Sequence, residues 1–221
     1  MEIYMLEFLS AVYNEEDEID DLITHIFPYV DKIHIVDDVS TDSTVEKLHD
    51  WWIAFSNNPK KFDWHQMDAH TGLCEVVRIK ALELVDDDSW VLMLDADERF
   101  APGVLDAVVA FCAAPPDGVT HVYFSQKEFI DGIPVAEFAK VKLFKRSAAH
   151  FSPIIHRDPS FDGEGYNFGG VVLHRKTSQK QVMRELQYLD TYDTLLDEGK
   201  VTPEDVTWFK GMHHFIHERH G

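Results

Sequence analysis

The sequence is poor in cysteine and in basic residues. Its two cysteines, Cys74 and Cys112, are too few for a disulfide framework and are not spaced as a metal knuckle, so we interpret them as buried thiols and expect a reducing cytoplasm. The 20 basic residues face 40 acidic ones, which gives a formal charge of −20. Such a charge repels polyphosphate backbones and anionic lipid at long range, which disfavours duplex nucleic acid as a partner.

Long apolar runs are missing as well. No stretch approaches the roughly 20 apolar residues that cross a bilayer, and the amino terminus has no basic region followed by an apolar core. We therefore expect a soluble protein without a transmembrane segment. The sequence also has no internal repeat and no low-complexity linker, and its 221 residues suit a single domain, 1–221.

Apolar segments and helical patterns alternate along the first 100 residues. Strands are predicted at 3–12, 32–37, 62–67 and 90–94, and helices between Asn14 and Pro28, from Ser43 to Phe55 and at 72–85. This order predicts an α/β fold with a mostly parallel sheet that helices flank. Ligands bind such sheets at the carboxyl ends of the strands. Three acidic clusters lie at those strand ends.

The second half of the sequence is less regular. We expect a helix at 102–113, strands at 119–124 and 141–145, and a hairpin at 129–135 around the turn Asp131-Gly132. A glycine-rich loop of low regularity is predicted at 162–170, and two helices at about 179–198 and 203–218.

Two acidic motifs follow buried strands. Asp95-Ala96-Asp97 places two carboxylates two residues apart, an arrangement that suits one hard cation or, alternatively, a polar strand end. The stretch from Asp37 to Thr44 offers carboxylates and hydroxyls for hydrogen bonds to a base and a ribose, although turn chemistry alone would also explain it.

Three segments resemble motifs of one family, in the same order. Residues 12–16 resemble its "hxYNEE" segment, residues 36–44 its "VDDGSTDGT", with Val39 and Ser43 in place of glycines, and residues 94–98 its "LDADE". The chain thus resembles glycosyltransferase family 2, which has the GT-A fold, most strongly over 3–100. Residues 142–146 and His156 are similar to "RLFRR…HE" of one branch, in which Arg157 here replaces Glu.

The resemblance implies a Rossmann-like GT-A fold with a nucleotide-binding half at 1–100 and, at 101–221, a smaller acceptor-side half with the C-terminal helices. It implies metal-dependent, inverting transfer of a sugar from a nucleotide diphosphate sugar to an acceptor hydroxyl. The acceptor stays open among a glycan, a lipid carrier, a protein and a modified nucleobase, and so does the oligomeric state.

The resemblance also implies site residues. The nucleotide-sugar site would comprise Tyr13, Asn14, Glu15, Asp38, Ser40, Arg78, Asp95, Ala96, Lys145 and Arg146. Asp97 would be the main ligand of Mn²⁺ or Mg²⁺, together with Asp95 and His156, with His174 as the alternative to His156. Because the branch's Glu after the histidine is missing, the catalytic base would be Asp158, or else Glu128 or Glu164.

Other functions fit the sequence less well. A sugar-phosphate nucleotidyltransferase would open with a glycine-rich phosphate loop, yet residues 3–20 contain no glycine. An aspartyl phosphatase would carry its Asp-x-Asp after the first strand, with Thr or Val where Glu98 stands. The remaining alternative is a catalytically weak or inactive GT-A module that binds a nucleotide-sugar, a glycan or a protein partner, which the missing Glu after His156 favours.

Overall fold

The computed structural model describes residues 5–58, 61–153, 158–199, 201–204 and 207. The chain divides into two compact units, Met1–Arg175 and Lys176–Gly221. Within the described residues, none of the helices combines the length and the apolar character that a membrane span requires. The assignment of 1–221 to a single domain stays a prediction.

The first half of the chain alternates strands and helices as predicted. The elements are β1 (Leu6–Val12), α1 (Ile19–Ile26), β2 (Lys32–Asp37), α2 (Thr44–Ala54), β3 (Phe62–Gln66), α3 (Cys74–Leu82) and β4 (Trp90–Met93). The bounds differ from the predicted ones mainly at element ends, where sequence patterns are least informative.

The second half is built around long antiparallel strands. The elements are β5 (Glu98–Phe100), α4 (Val104–Ala113), β6 (Val119–Ile130), β7 (Ile133–Lys145), a 3₁₀ turn (Arg146–Ala148), β8 (Ala149–His150), β9 (Ser160–Phe161) and β10 (Glu164–Lys176). The second unit contains α5 (Ser178–Asp197). The predicted hairpin at Asp131-Gly132 is present, with φ of 50° and 79° at its turn, but its strands are much longer than predicted. The helix predicted at 203–218 lies largely outside the described residues.

Eight strands form one sheet in the order β3-β2-β1-β4-β7-β6-β10-β5. Strands β1 to β4 pair in parallel, whereas β7 pairs antiparallel with β4 and with β6, and β10 pairs antiparallel with β5. Successive residues of β1 point to different cores: Phe8 packs in one cluster and Leu9 in another, both with 0% exposure. Burial on both faces also explains why β4, whose four residues are all buried, is continuously apolar.

The prediction of an irregular loop at 162–170 is wrong, because β10 runs through it from Glu164. Two of its glycines, Gly165 and Gly170, allow close packing. A Cβ atom added at Gly165 would lie 2.7 Å from His121 Nε2, and one at Gly170 would lie 2.9 Å from Val104 Cγ1. Glycine inside a strand often marks such a close approach.

Candidate active site

The two predicted acidic motifs lie at one edge of the sheet. In the strand register, Val12 of β1 pairs with Asp37 of β2, and Leu9 of β1 pairs with Met93 of β4. Asp38 and Asp95 therefore follow the strands on either side of β1, and two interstrand spacings place these strands roughly 10 Å apart. We call this carboxyl end of β1, β2 and β4 the acidic edge.

Two loops at the acidic edge are tied together by hydrogen bonds. The Asn14 amide donates to Ser40 Oγ at 2.8 Å, and the Thr41 amide donates to Asn14 Oδ1 at 2.7 Å. The Glu15 amide donates to Thr44 Oγ1 at 2.8 Å. Three residues predicted in the nucleotide-sugar site, Asn14, Glu15 and Ser40, thus take part in holding one loop on the other.

Asp38 is buried and organises a segment that the sequence interpretation missed. Its Oδ1 accepts from the Thr71 amide at 2.8 Å, and its Oδ2 accepts from the Gly72 amide at 3.0 Å. Burial raises the pKa of Asp38, and these hydrogen bonds oppose the rise. His70 Nδ1 donates to the Asp38 carbonyl oxygen at 2.8 Å, and its ring stacks on Tyr13 with centroids 4.2 Å apart. The position of residues 70–72 between β3 and α3, at a strand end, is the signal that could have found them.

Asp95 is ion-paired with Arg78, a residue predicted near the base or the diphosphate. Arg78 Nη1 also lies 3.8 Å from Glu75 Oε1. Burial alone would raise the pKa of Asp95, but the neighbouring Arg78 and Lys142 cations hold it well below its usual range. Asp95 is therefore a carboxylate at any ordinary pH. Ala96 beside it is buried, and its carbonyl oxygen accepts from Arg99 Nη1 at 2.6 Å.

Glu98 and Lys142 form a buried ion pair next to Asp95. The Lys142 Nζ lies 2.7 and 2.6 Å from the two Glu98 carboxylate oxygens, and Glu98 Oε2 also accepts from the Asp95 amide at 2.9 Å. Lys142 is an extra residue in β7, because its neighbours Val141 and Leu143 pair with consecutive residues of β6. This bulge is a tertiary feature that the sequence pattern does not reveal.

Asp97 faces His174 of β10. His174 Nε2 lies 3.0 Å from Asp97 Oδ1, and both side chains are almost completely buried. The backbone supports the contact, since the Arg175 amide donates to the Asp97 carbonyl oxygen at 3.1 Å. Burial alone would lower the pKa of His174, but Asp97 and Glu128 raise it to about 9. His156, the third metal ligand expected first, lies outside the described residues, so His174 is the described candidate.

The donor atoms at the acidic edge fit a divalent ion. Within the described residues, one ligand atom each of Asp95, Glu98 and His174 lie within 4.8 Å of one another. An ion that binds its ligands at about 2.1 Å needs them within roughly 4.2 Å of each other, so a small side-chain movement suffices. Carboxylate donors suit both Mn²⁺ and Mg²⁺. Asp97 contacts His174 and borders the same group.

The structure does not bring Lys145 and Arg146 to the acidic edge. Lys145 pairs with Trp90, and its Nζ lies 5.6 Å from the centre of the Trp90 ring. Arg146 Nε donates to the Leu82 carbonyl oxygen at 2.8 Å. Because β7 runs antiparallel to β4, Lys145 and Arg146 lie at the amino end of β4. Asp95 follows Trp90 by five residues, and an extended chain of that length puts the two roughly 16 Å apart. In this arrangement neither residue reaches the acidic edge, and their expected contact with the diphosphate stays a prediction.

The three candidate bases lie in different places. Asp158 is exposed and ion-paired with Lys140, two residues from Lys142 along β7. Glu164 is exposed at the start of β10, where its amide donates to the Gly118 carbonyl oxygen at 3.0 Å. Glu128 Oε1 lies 3.1 Å from His174 Nδ1 and thus contacts the acidic edge.

Comparison with protein-family models gives a match. Residues 9–169 match the family model described as glycosyl transferase family 2. A comparison with curated protein sequences gives no match.

Comparison with solved structures shows that this fold occurs in other proteins. Mannosyltransferase PcManGT from Pyrobaculum calidifontis, in complex with GDP-Man and Mn²⁺, matches 93% of this chain and 68% of its own, with 14% identity and a TM-score of 0.60. S. aureus TarS 1–349 in complex with UDP matches 85% of this chain and 65% of its own, with 14% identity and a TM-score of 0.57. In its UDP-GlcNAc complex the match covers 60% of this chain and 37% of TarS 1–349, with 22% identity and a TM-score of 0.48. This chain thus spans less than two thirds of the matched TarS chains.

Proposed function

The chain belongs to glycosyl transferase family 2, and from this premise we propose that it transfers a sugar from a nucleotide diphosphate sugar to an acceptor hydroxyl, with a divalent metal and with inversion of the anomeric centre. One observation carries the proposal: Asp38 follows β2, and Asp95 and Asp97 follow β4, the two strands on either side of β1, and His174 contacts Asp97 at this edge. The edge thus combines nucleoside-binding and metal-binding groups.

The nucleoside would bind beside Asp38. The stacked rings of Tyr13 and His70 lie next to this carboxylate and offer an aromatic surface to a base. The hydrogen bonds between residues 14–16 and 40–44 keep the two loops in place before the donor arrives, so little ordering is needed on binding. The GDP-Man and UDP complexes of the two structural neighbours support a nucleotide diphosphate sugar as the donor.

The diphosphate would bind beside Asp95, Asp97 and His174, which would hold Mn²⁺ or Mg²⁺. When bound, the divalent ion neutralises the negative charge that develops on the leaving diphosphate. Arg78 keeps Asp95 ionised, and Lys142 holds the Glu98 carboxylate beside it. The Mn²⁺ complex of PcManGT supports a metal site in this fold.

Asp158 is our proposed proton acceptor for the acceptor hydroxyl. It is held by Lys140, close along β7 to the Lys142 that reaches the acidic edge, and an inverting displacement needs a carboxylate on the acceptor side. Asp158→Asn should lower kcat/KM for transfer by about 10²- to 10⁴-fold. Mn²⁺ affinity, measured by titration calorimetry, should stay at the wild-type value. A variant that transfers at the wild-type rate would exclude Asp158 as the base.

A catalytically weak or inactive binding module is the second candidate function. It is favoured by the ion pairs of Asp95 with Arg78 and of Glu98 with Lys142, because these cations already neutralise two of the carboxylates that a metal would need. Such a module would bind a nucleotide-sugar, a glycan or a protein partner without turnover.

A donor hydrolysis assay separates the two functions. The purified protein is incubated with UDP-, GDP- and dTDP-sugars and Mn²⁺, and release of the nucleoside diphosphate is followed for the wild type and for Asp97→Ala. We expect release from at least one donor, and its loss in Asp97→Ala and after chelation. Binding of a nucleotide without release from any donor would favour the module. Release that survives both Asp97→Ala and chelation would refute the metal assignment.

A cytoplasmic location is part of the proposal. Cys74 and Cys112 are not joined in a disulfide, and burial raises the pKa of each to about 12. Such thiols are protonated and unreactive at neutral pH, which supports an interpretation in which neither serves a disulfide.

A further inference from the structure

The His174 ring is held at both of its nitrogens. On one side Nε2 lies 3.0 Å from Asp97 Oδ1, and on the other side Nδ1 lies 3.1 Å from Glu128 Oε1. The strand that carries Glu128, β6, is the sheet neighbour of β10, which carries His174. The ring therefore bridges a carboxylate of the acidic edge and a carboxylate of the β6–β7 hairpin.

A second polar group competes for Nδ1. Gln126 Nε2 lies 3.0 Å from it, and an amide nitrogen could donate only to a ring nitrogen that carries no proton. A hydrogen bond from Nδ1–H to the Glu128 carboxylate is charge-assisted and roughly twice as strong as a neutral one. The carboxylate therefore determines that Nδ1 carries a proton. Gln126 Oε1 is buried without a hydrogen-bond partner among the described residues, and turning the amide over would let it accept from the same N–H. Both groups then favour a proton on Nδ1.

We propose that Glu128 is a positioning residue for metal binding: by accepting from Nδ1–H it holds the His174 ring so that Nε2 faces Asp97 and, once the Nε2 proton has left, offers its lone pair to the ion. This inference rests on the proposed function. A histidine that binds a metal through one nitrogen commonly donates to a carboxylate through the other, which fixes its tautomer and its orientation.

The proposal gives Glu128 a role other than catalytic base. A base must reach the acceptor hydroxyl, whereas Glu128 is turned toward a buried histidine and only 23% of its side chain is exposed. Loss of the carboxylate should therefore weaken metal binding, whether or not an acceptor is present.

Mn²⁺ affinity tests this role without turnover. The dissociation constant for Mn²⁺, measured from the electron paramagnetic resonance signal of the free ion, should rise about 10- to 100-fold in Glu128→Gln. His174→Ala sets the loss expected when the ligand itself is removed. Glu137→Gln is the matched control, because Glu137 lies on the same hairpin, accepts from Ser125 Oγ at 2.6 Å and is exposed. It should bind Mn²⁺ as the wild type does.

The tautomer of His174 gives a second measurement that a purely structural role would not change. Nitrogen-15 spectra of the Mg²⁺-loaded wild type, recorded at constant pH, should show the proton on Nδ1. In Glu128→Gln the two tautomers should be mixed, or the proton should move to Nε2. An unchanged tautomer together with a wild-type Mn²⁺ affinity in Glu128→Gln would overturn the proposal.

The outcomes also separate this inference from the proposed function. If His174→Ala weakens Mn²⁺ binding and Glu128→Gln does not, only the role of Glu128 is refuted. If neither variant weakens it while Asp97→Ala does, His174 is not a ligand, and the role of Glu128 falls with it. If the wild type binds no Mn²⁺, the proposed metal site and this inference are both refuted.

Discussion

The parallel strands bury charge at both of their ends, but they do so differently. We call the amino end of β1, β2 and β4, opposite the acidic edge, the amino edge. At the amino edge, Glu7 has 0% exposure and is enclosed by donors: His34 Nε2 lies 2.6 Å from Oε2, and Ser89 Oγ donates to Oε1 at 2.5 Å. Lys32 Nζ lies 3.9 Å from the same carboxylate. This is one acid with several partners, and it needs no ligand to be stable.

The acidic edge has more carboxylates than cations around them. Within the described residues, its ion pairs involve six carboxylates and four basic side chains, namely Asp38, Glu75, Asp95, Asp97, Glu98 and Glu128 against His70, Arg78, Lys142 and His174. Like charges held together in a buried site repel one another, and a divalent cation relieves that repulsion. Buried charge alone therefore does not mark a functional site, whereas a surplus of one sign at strand ends does.

The largest effect is expected on activity, from a substitution at the acidic edge. Asp97→Asn should lower donor turnover by at least about 10³-fold, or about 4 kcal/mol, because the carboxylate at the leaving diphosphate loses its charge. It should change the free energy of unfolding by less than about 1 kcal/mol, since removing one acid from a surplus also removes repulsion. Urea unfolding and the release assay measure the two quantities. A large loss of stability with turnover unchanged would place Asp97 among the structural charges.

The next largest effect is expected at the amino edge, where a substitution should lower stability and leave turnover unchanged. Glu7→Gln should destabilise the fold by about 3 kcal/mol, because it leaves the partners of a buried carboxylate without their counter-charge. Turnover per folded molecule should stay at the wild-type value. Glu137→Gln at an exposed position is the control and should change stability by no more than about 0.5 kcal/mol. A drop in turnover of folded Glu7→Gln would mean that the two edges are coupled.

A third expectation concerns pH. Burial alone would raise the pKa of Glu7, but hydrogen bonds from His34 and Ser89 lower it below its ordinary value of 4.5. A lowered folded-state pKa contributes stability that is present above pH 4.5 and is lost as the pH falls through the folded-state value. In urea unfolding, the difference between wild type and Glu7→Gln should therefore narrow below about pH 4.5. A difference that is constant from pH 6 to pH 3 would contradict this.

The sequence predicted the carboxylates of the acidic edge but not how their partners reach them. Asp38, Asp95 and Asp97 follow apolar strands whose alternation with helices is readable locally, and parallel strands bring such ends together. Lys142 and His174 reach the edge through antiparallel pairs, β4 with β7 and β5 with β10, that join distant parts of the chain. No local pattern encodes those pairings, and the glycines of β10 resemble those of a loop.

A smaller effect tests the loop after β2. Val39 has φ of 64°, a left-handed conformation that is strained for a β-branched residue, at a position where the family motif has glycine. Val39→Gly should stabilise the protein by about 1 kcal/mol, because the relieved strain of roughly 1–2 kcal/mol exceeds the added entropy of the unfolded chain.

Ser43 provides the matched control for Val39. It also replaces a glycine of the family motif, but its φ is −80°, which any residue adopts. Ser43→Gly should therefore destabilise the protein slightly, by about 0.5 kcal/mol. Urea unfolding compares the two variants. If both glycines destabilise, Val39 is not strained, and the acidic edge stores no conformational energy in this loop.

The smallest effect is expected from the two basic residues at the amino end of β4. Lys145→Ala and Arg146→Ala should each leave Mn²⁺-dependent nucleoside diphosphate release within about twofold of the wild type, because a charge roughly 16 Å away is screened at physiological salt. Arg78→Ala, which removes the cation paired with Asp95, should reduce release much more. A tenfold loss in folded Lys145→Ala would mean that the chain around this residue closes over the donor during turnover. In that case the basic residues would belong to the donor site, and the two edges would not be separate in function.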